Sequence, residues 1–178
     1  MADSTDFTDS ICYWPATKIV RHIRTQEITV ERVIRAFLHQ IARHNTRINA
    51  ITDLRNEADL LQEAREKDRQ VRAGAVLGPL HGLPMTVKDG FNVRGLISSN
   101  GHPGYRRHRA TDDAELVKRL KQAGAIIIGK TNLPLFSIDW QSTNWWFGQT
   151  NNPYDVRRVA GGELRRGGGS GGHGFYPR

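Results

Sequence analysis

A single lysine closes an apolar run in PLHGLPMTVKDG, residues 79–90, which makes Lys88 the residue best placed to do chemistry. Met85, Thr86 and Val87 read as a short strand, so Lys88 would sit at a strand's carboxyl end, where acid and base groups are often mounted. Taken alone, the same lysine could face solvent beside Asp89 in a weak surface pair, the fate of most lysines. Lys130, in GKTN, also follows an apolar run, and is expected to anchor a helix or a loop rather than to serve as a second base. His81 has no accompanying serine and acid in a matching motif and is expected as a turn residue. Trp140, Trp145, Trp146 and Phe147 form an aromatic cluster that could line a pocket, although rings of this size more commonly fill a core.

The elements that must position these residues run from helical to alternating patterns. Ile19, Val20 and Ile23 form a short apolar stripe. Val30, Val33, Ile34, Phe37, Leu38 and Ile41 form a clearer one at helical spacing, with Thr29 as its N-cap. Residues 48–54 read as a strand, and residues 56–73 as a charged helix with a thin apolar face at Ala58, Leu61 and Ala64, closed by Gly74. The segment DDAELVKRLKQAG, starting at Asp112, reads as a helix with an acidic first turn that stops at Gly124. Residues 125–128 follow at once as a buried strand, a helix-to-strand junction typical of α/β folds.

Composition sets the outer bounds. A chain of 178 residues with 38% hydrophobic residues can build one domain with a real core. A single cysteine, Cys12, allows no internal disulfide, and the N-terminal MADSTDFTDS lacks a secretory pattern, so a reducing cytoplasm is expected. No apolar stretch approaches the roughly 20 residues of a membrane span. The net charge of +8 raises nucleic acid as a partner. Its placement argues otherwise, because half of it falls in the last 22 residues, where five arginines face Glu163 alone.

Three segments, PLHGLPMTVKD (79–89), ATDDAELVKRLKQAGAIIIGKTNL (110–133) and NWWFGQTNNPYDVRRVAGG (144–162), together resemble the amidase signature family of serine hydrolases. The likeness covers nearly all of residues 15–162, in order and with matching gaps. It implies the N-terminal part of an amidase-signature α/β fold, a mixed sheet flanked by helices. It also implies hydrolysis of a small-molecule amide without metal or organic cofactor, through a Ser-Ser-Lys triad whose lysine is Lys88. A lysine base must be neutral when it works, which needs burial to lower its pKa from about 10.4. By the resemblance, Lys88 takes a proton, through a serine in a GGSSGG segment, from a second serine that attacks the carbonyl and becomes acylated.

The sequence departs from that pattern at Glu163. The family's Gly-Gly-Ser-Ser-Gly-Gly, followed by an alanine-rich helix, is replaced by Gly161, Gly162, Glu163, Leu164, Arg165 and Arg166. One permitted back-translation of residues 162–177, read one base later, gives Gly-Ser-Ser-Gly-Gly-Ala-Ala-Ala-Ala-Val-Ala-Thr-Gly-Phe-Thr and restores the segment. The expectation is therefore a partial amidase domain over residues 1–162 and an aberrant Gly/Arg-rich, disordered tail over residues 163–178, produced by a frameshift. Such a chain would lack both triad serines and be inactive. Alternatives from other classes are a non-catalytic fragment that pairs with an intact amidase, a component of a tRNA-dependent amidotransferase, and an RNA-binding tail built on Arg165, Arg166, Phe175 and Tyr176. Self-association into a homo-oligomer is compatible with the first of these.

Overall fold

The computed structural model describes residues 10–161; the expectations for Gly162, Glu163 and the tail beyond lie outside the described residues. Helix α1 (Ala16–Arg24) buries Ile19, Val20 and Ile23, the stripe its sequence predicts. Helix α2 (Val30–Ile48) begins as expected at Thr29, whose side chain accepts a hydrogen bond from the Arg32 amide at 3.1 Å. Its first amides have a second acceptor in Asp68, whose two oxygens take Val30 N at 2.7 Å and Glu31 N at 3.2 Å. A carboxylate there satisfies orphan donors and complements the positive end of the helix.

Helix α2 continues through Ile48, which the sequence pattern assigned to the following strand. The chain turns only at Asn49, in the left-handed region at φ 55°, while Asn45 accepts from the amides of Ala50 and Ile51 at 2.9 and 2.8 Å. Strand β1 (Ile51–Leu54) is correspondingly shorter. Helix α3 (Glu57–Arg72) starts at Asn56, which accepts from Ala58 N; of its expected apolar face Leu61 and Ala64 are buried, together with Leu60 and Val71, whereas Ala58 in the first turn is exposed. Strand β2 (Pro84–Lys88) carries the first candidate lysine at its end.

Helix α4 (Glu115–Gln122) starts later than its acidic leader suggested. Asp113 stays outside it because its carboxylate accepts from Arg94 N at 2.8 Å and pairs with Lys121 at 2.7 Å. Gly124 follows the helix at φ +99°, where an added Cβ would lie 2.7 Å from His81 Cα, so this turn tolerates only glycine. Strand β3 (Ile126–Thr131) comes directly after. A two-stranded ribbon of β4 (Thr143–Asn144) and β5 (Gly148–Gln149) completes the described elements.

The main sheet has the order β1-β3-β2, with β1 antiparallel and β2 parallel to the central β3. Its two faces bury different partners. Leu83, Ile126 and Ile128 pack against the buried stripes of α1, α2 and α3, whereas Val87 and Ile127 pack with Val93, Leu96 and Val117 of the following loop and α4. The mixed sheet flanked by helices is thus realised.

One irregularity matters for the site. The β2–β3 register steps from Met85↔Ile127 to Thr86↔Gly129, which leaves Ile128 as an extra residue. A strand alternates faces with period two, so strict alternation would send residue 130 to the same side as Ile126 and Ile128. The bulge instead pairs Lys130 with Val87 and turns it to the α4 side.

Candidate active site

Both candidate lysines lie at the carboxyl ends of the parallel strands β2 and β3, the edge from which α/β sheets usually present ligand-binding groups. Lys88 is half-buried and shares a rung with Thr131. Its carbonyl accepts from Phe91 N at 3.0 Å, and the next amide, Asp89 N, donates to Thr131 O at 3.0 Å. The alternative expected for Lys88, a weak surface pair, would need an exposed Asp89, and Asp89 is not at the surface. Asp89 is fully buried, and its carboxylate accepts from Ser99 N at 3.0 Å and from Ser99 Oγ at 2.6 Å.

Lys130 sits on the opposite face and is also fully buried. Its Nζ donates to Asp89 O at 3.0 Å, Ile97 O at 2.9 Å and Ser98 Oγ at 3.0 Å, with the Asp89 carboxylate 3.9 Å away. Burial pushes its pKa down to about 8, while the carboxylates of Asp89 and Asp53 pull the other way, so the group is an ammonium at neutral pH. An ammonium has three N–H donors, and all three are committed here. That leaves no lone pair facing a substrate, and it makes Lys130 the loop anchor its sequence context predicted.

His81 is buried in the turn before β2, with Nε2 3.1 Å from Lys67 O; desolvation lowers its pKa, which favours the neutral ring. It is a turn residue, as expected.

A second loop system leaves the sheet after Thr131. Asn132 Nδ2 donates to Gly148 O at 3.0 Å, Thr150 Oγ1 at 3.1 Å and Ser142 O at 3.3 Å, while its Oδ1 accepts from Asn144 Nδ2 at 2.7 Å. Asn144 Oδ1 in turn accepts from the amides of Trp146 and Phe147 at 3.0 and 2.7 Å. Asn49, at the end of α2, donates to Phe147 O at 2.6 Å and Gln149 O at 3.1 Å. Ser142 Oγ donates to Gly161 O at 3.2 Å, and Ala160 N to Thr150 O at 3.1 Å. The turn at Gly161 is therefore tied through Ser142 and Thr150 to Asn132, the residue after Lys88's rung partner.

Sequence reading did not single out this asparagine network or the Asp89–Ser99 pair. The available signal was a polar residue in a place that should be dry: Asn132 directly after AIIIGKT, and Asp89 directly after a buried strand.

The aromatic cluster departs from the core expectation. Trp140, Trp145 and Trp146 are 61%, 97% and 46% exposed, respectively. Trp145 borders an open cleft of about 620 Å³ with Gly101, His102, Pro103, Leu135 and Thr143. Trp146 lies under the guanidinium of Arg106, 4.6 Å from its ring centre. The strap between Leu133 and Gly161 is held by hydrogen bonds from Asn132 and Asn144, which fix its backbone without requiring its rings to be buried.

The amidase family model matches residues 32–174 of this chain. The chain belongs to the amidase signature family. It is 38% identical over 150 residues to the indoleacetamide hydrolase of Bradyrhizobium diazoefficiens, covering 84% of this chain and 28% of that one. It is 36% identical over 148 residues to a glutamyl-tRNA(Gln) amidotransferase subunit of Acidothermus cellulolyticus, covering 83% and 29%. The crystal structure of the native peptide amidase from Stenotrophomonas maltophilia superposes with a TM-score of 0.74 at 33% identity, covering 83% of this chain and 31% of that one. The chain thus spans about three tenths of the length of these relatives. Among the described residues no helix is long and apolar enough to cross a membrane, and no group of three or more His, Cys, Asp or Glu side chains could hold a metal ion.

Proposed function

We propose that this chain is the N-terminal part of a cofactor-free, cytoplasmic Ser-Ser-Lys amidase in which Lys88 is the base, and that in its present form it is inactive. The observation that carries the reading is the contrast between the two strand-end lysines. Lys130 faces the α4 side and is committed to the 89–98 loop, whereas Lys88 faces the other side, half-buried, on the rung whose Thr131 is followed by Asn132, the anchor of the strap.

In the intact parent, the nucleophilic serine loses its proton through the bridging serine to the Lys88 amine as its oxygen bonds to the amide carbonyl carbon. The C–N bond then breaks and the leaving nitrogen takes the proton back, releasing ammonia or an amine. Water repeats the sequence on the acyl-enzyme, giving the carboxylate and the free serine. Backbone amides of the glycine-rich segment would stabilise the oxyanion. The substrate class is a small carboxamide, in line with relatives named as hydrolases of amides. A relative named as part of an amidotransferase supports a second reading, in which the parent passes ammonia to a partner protein instead of releasing it.

Inactivity follows from Glu163 standing where the bridging serine belongs, with residues 163–178 read out of frame. The family match continues to residue 174 and takes in GGGSGG, so Ser170 is the one hydroxyl that could argue against this. The test is to remove one base from the codons of Gly161 and Gly162, read through, and assay both forms for ammonia release from simple amides. Turnover by the restored form that is lost on Lys88→Ala supports the proposal. Turnover by the present chain that is lost on Ser170→Ala would replace it with an in-frame site.

A further inference from the structure

We propose that Lys130 is a positioning residue for Lys88, a clamp that fixes the direction in which the Lys88 side chain leaves the sheet by holding the 89–99 loop over the ends of β2 and β3. The inference deepens the reading of Lys88 as the base and rests on it for its functional meaning, but the clamp itself is a property of this chain.

The geometry carries it. The backbone that leaves Lys88 is pinned at three points in turn: Lys88 O by Phe91 N, Asp89 N by Thr131 O, and Asp89 O by Lys130 Nζ. The first two belong to an ordinary strand end and turn. The third comes from across the sheet, and the same ammonium reaches Ile97 O and Ser98 Oγ, some ten residues further on. Lys130 therefore closes residues 89–98 into a ring around one positive charge. Asp89 completes the closure from the other side, since its carboxylate holds Ser99 N and Oγ while Ser99 Oγ accepts from Gly101 N at 3.0 Å.

The bulge at Ile128 gives the clamp its reach, because without the extra residue Lys130 would point into the helical layer instead of under this loop. Two further contacts steady the ring: Asp53, paired across the sheet with Lys130, accepts from Ile97 N at 2.7 Å and lies 3.5 Å from Arg109. A buried charge is costly unless fully hydrogen-bonded, and a purely structural loop could be closed with apolar groups at lower cost. The use of an ammonium directed at the peptide after Lys88 is what assigns it a positioning role.

The test uses the full chain and two variants, Lys130→Met, which keeps the apolar stem, and Ser98→Ala, which removes a single acceptor. Amide exchange is read at Phe91 and Ser99, with α2 amides as the reference, and the two Lys88 Hε resonances are read by NMR. In the wild type, Phe91 and Ser99 are protected and the Lys88 ε-protons are inequivalent, as for a held side chain. Lys130→Met is expected to raise exchange at both amides at least tenfold relative to α2 and to merge the ε-proton signals. Ser98→Ala should raise exchange about fivefold, the loss of one hydrogen bond of about 1 kcal/mol. If Lys130→Met does not fold, Ser98→Ala decides the matter. Unchanged exchange, or Lys88 ε-protons already equivalent in the wild type, would overturn the clamp. Failure of the base reading is separate: it would appear as undiminished turnover of the frame-restored form carrying Lys88→Ala, with the clamp intact by NMR.

Discussion

Lys88 and Thr131 share the last rung of the parallel β2–β3 ladder, and the residue after each one opens a separately anchored loop. Asp89 is held by Lys130 and Ser99, and Asn132 is held by Gly148, Thr150 and Ser142. One rung thus sets the relative placement of two loop systems that sequence separates by more than 40 residues. An active site assembled from distant segments needs such a common reference, because an error of 1 Å in placement is costly in rate.

The Asn132 side chain is the hinge pin of the second system. Asn132→Ala leaves Asn144 Nδ2 with the Leu133 carbonyl as its remaining acceptor and frees the strap at three acceptors, so it should lower stability by about 2–4 kcal/mol, as expected for breaking a buried polar network. Urea unfolding monitored by circular dichroism gives the loss, and exchange at Phe147 and Thr150 shows where it falls. A midpoint within error of the wild type would mean that the network does not hold the strap.

Two glycines at similar positive φ separate conformational strain from steric conflict. Gly82, at φ +75°, would place an added Cβ 2.5 Å from Val30 Cγ2, whereas Gly95, at φ +82°, has nothing within 4 Å. Gly95→Ala should cost only the left-handed backbone penalty, about 1 kcal/mol, and Gly82→Ala about 2 kcal/mol more through overpacking against α2. Denaturant midpoints for the two variants check the order. Equal losses would show that the α2–β2 junction yields without cost.

Much of this fold could be read from the amino-acid pattern because the relevant forces are local. The 3.6-residue stripe and Thr29 cap of α2, and the apolar run of β3, needed no tertiary knowledge. The misjudged boundaries arose where side chains override the local pattern: Asn45 draws the chain back after Ile48, and Asp113 is recruited by Arg94 and Lys121. The site itself was half legible. Lys88 stood out through its motif and the family resemblance. The bulge that redirects Lys130 and the contact of Asn49 with Phe147, 98 residues apart, depend on pairings that no window of sequence contains. The exposed tryptophans escaped the core expectation for a related reason, since polar anchors rather than ring burial hold their strap.

Acid stability should respond to Glu31. Hydrogen bonds from Arg65 and Arg35 hold its carboxyl down to about 2, against an ordinary 4.5, and Arg65 joins α3 to α2. A depressed folded-state pKa contributes stability above the unfolded value that is lost as pH falls through the folded one. The contribution is therefore complete above about 4.5 and disappears toward pH 2. Because the cluster is partly exposed, Glu31→Gln should cost no more than about 1 kcal/mol at neutral pH, and the difference from the wild type should vanish near pH 2. A difference that stays constant with pH would contradict the assignment.

Lys130 gives the same sign in a higher pH window, for a different reason: burial disfavours its charged form. Its folded-state pKa of about 8 lies below the ordinary 10.5, so between these values the unfolded chain binds the extra proton and stability rises with pH. Relative to Lys130→Met, the wild type should gain stability from about pH 8 toward pH 10.5, measured by urea unfolding of both proteins at each pH. A relative loss over that window would show that the folded state holds the proton more tightly than burial implies.

The central claim is that Lys88 was placed to work with hydroxyls that the segment from Glu163 does not supply. Its most direct measurement is ammonia release from a panel of simple carboxamides by the present chain, its frame-restored form, and the restored form carrying Lys88→Ala. The account predicts turnover by the restored form alone; turnover by the present chain, or by the Lys88→Ala form at the restored rate, would contradict it.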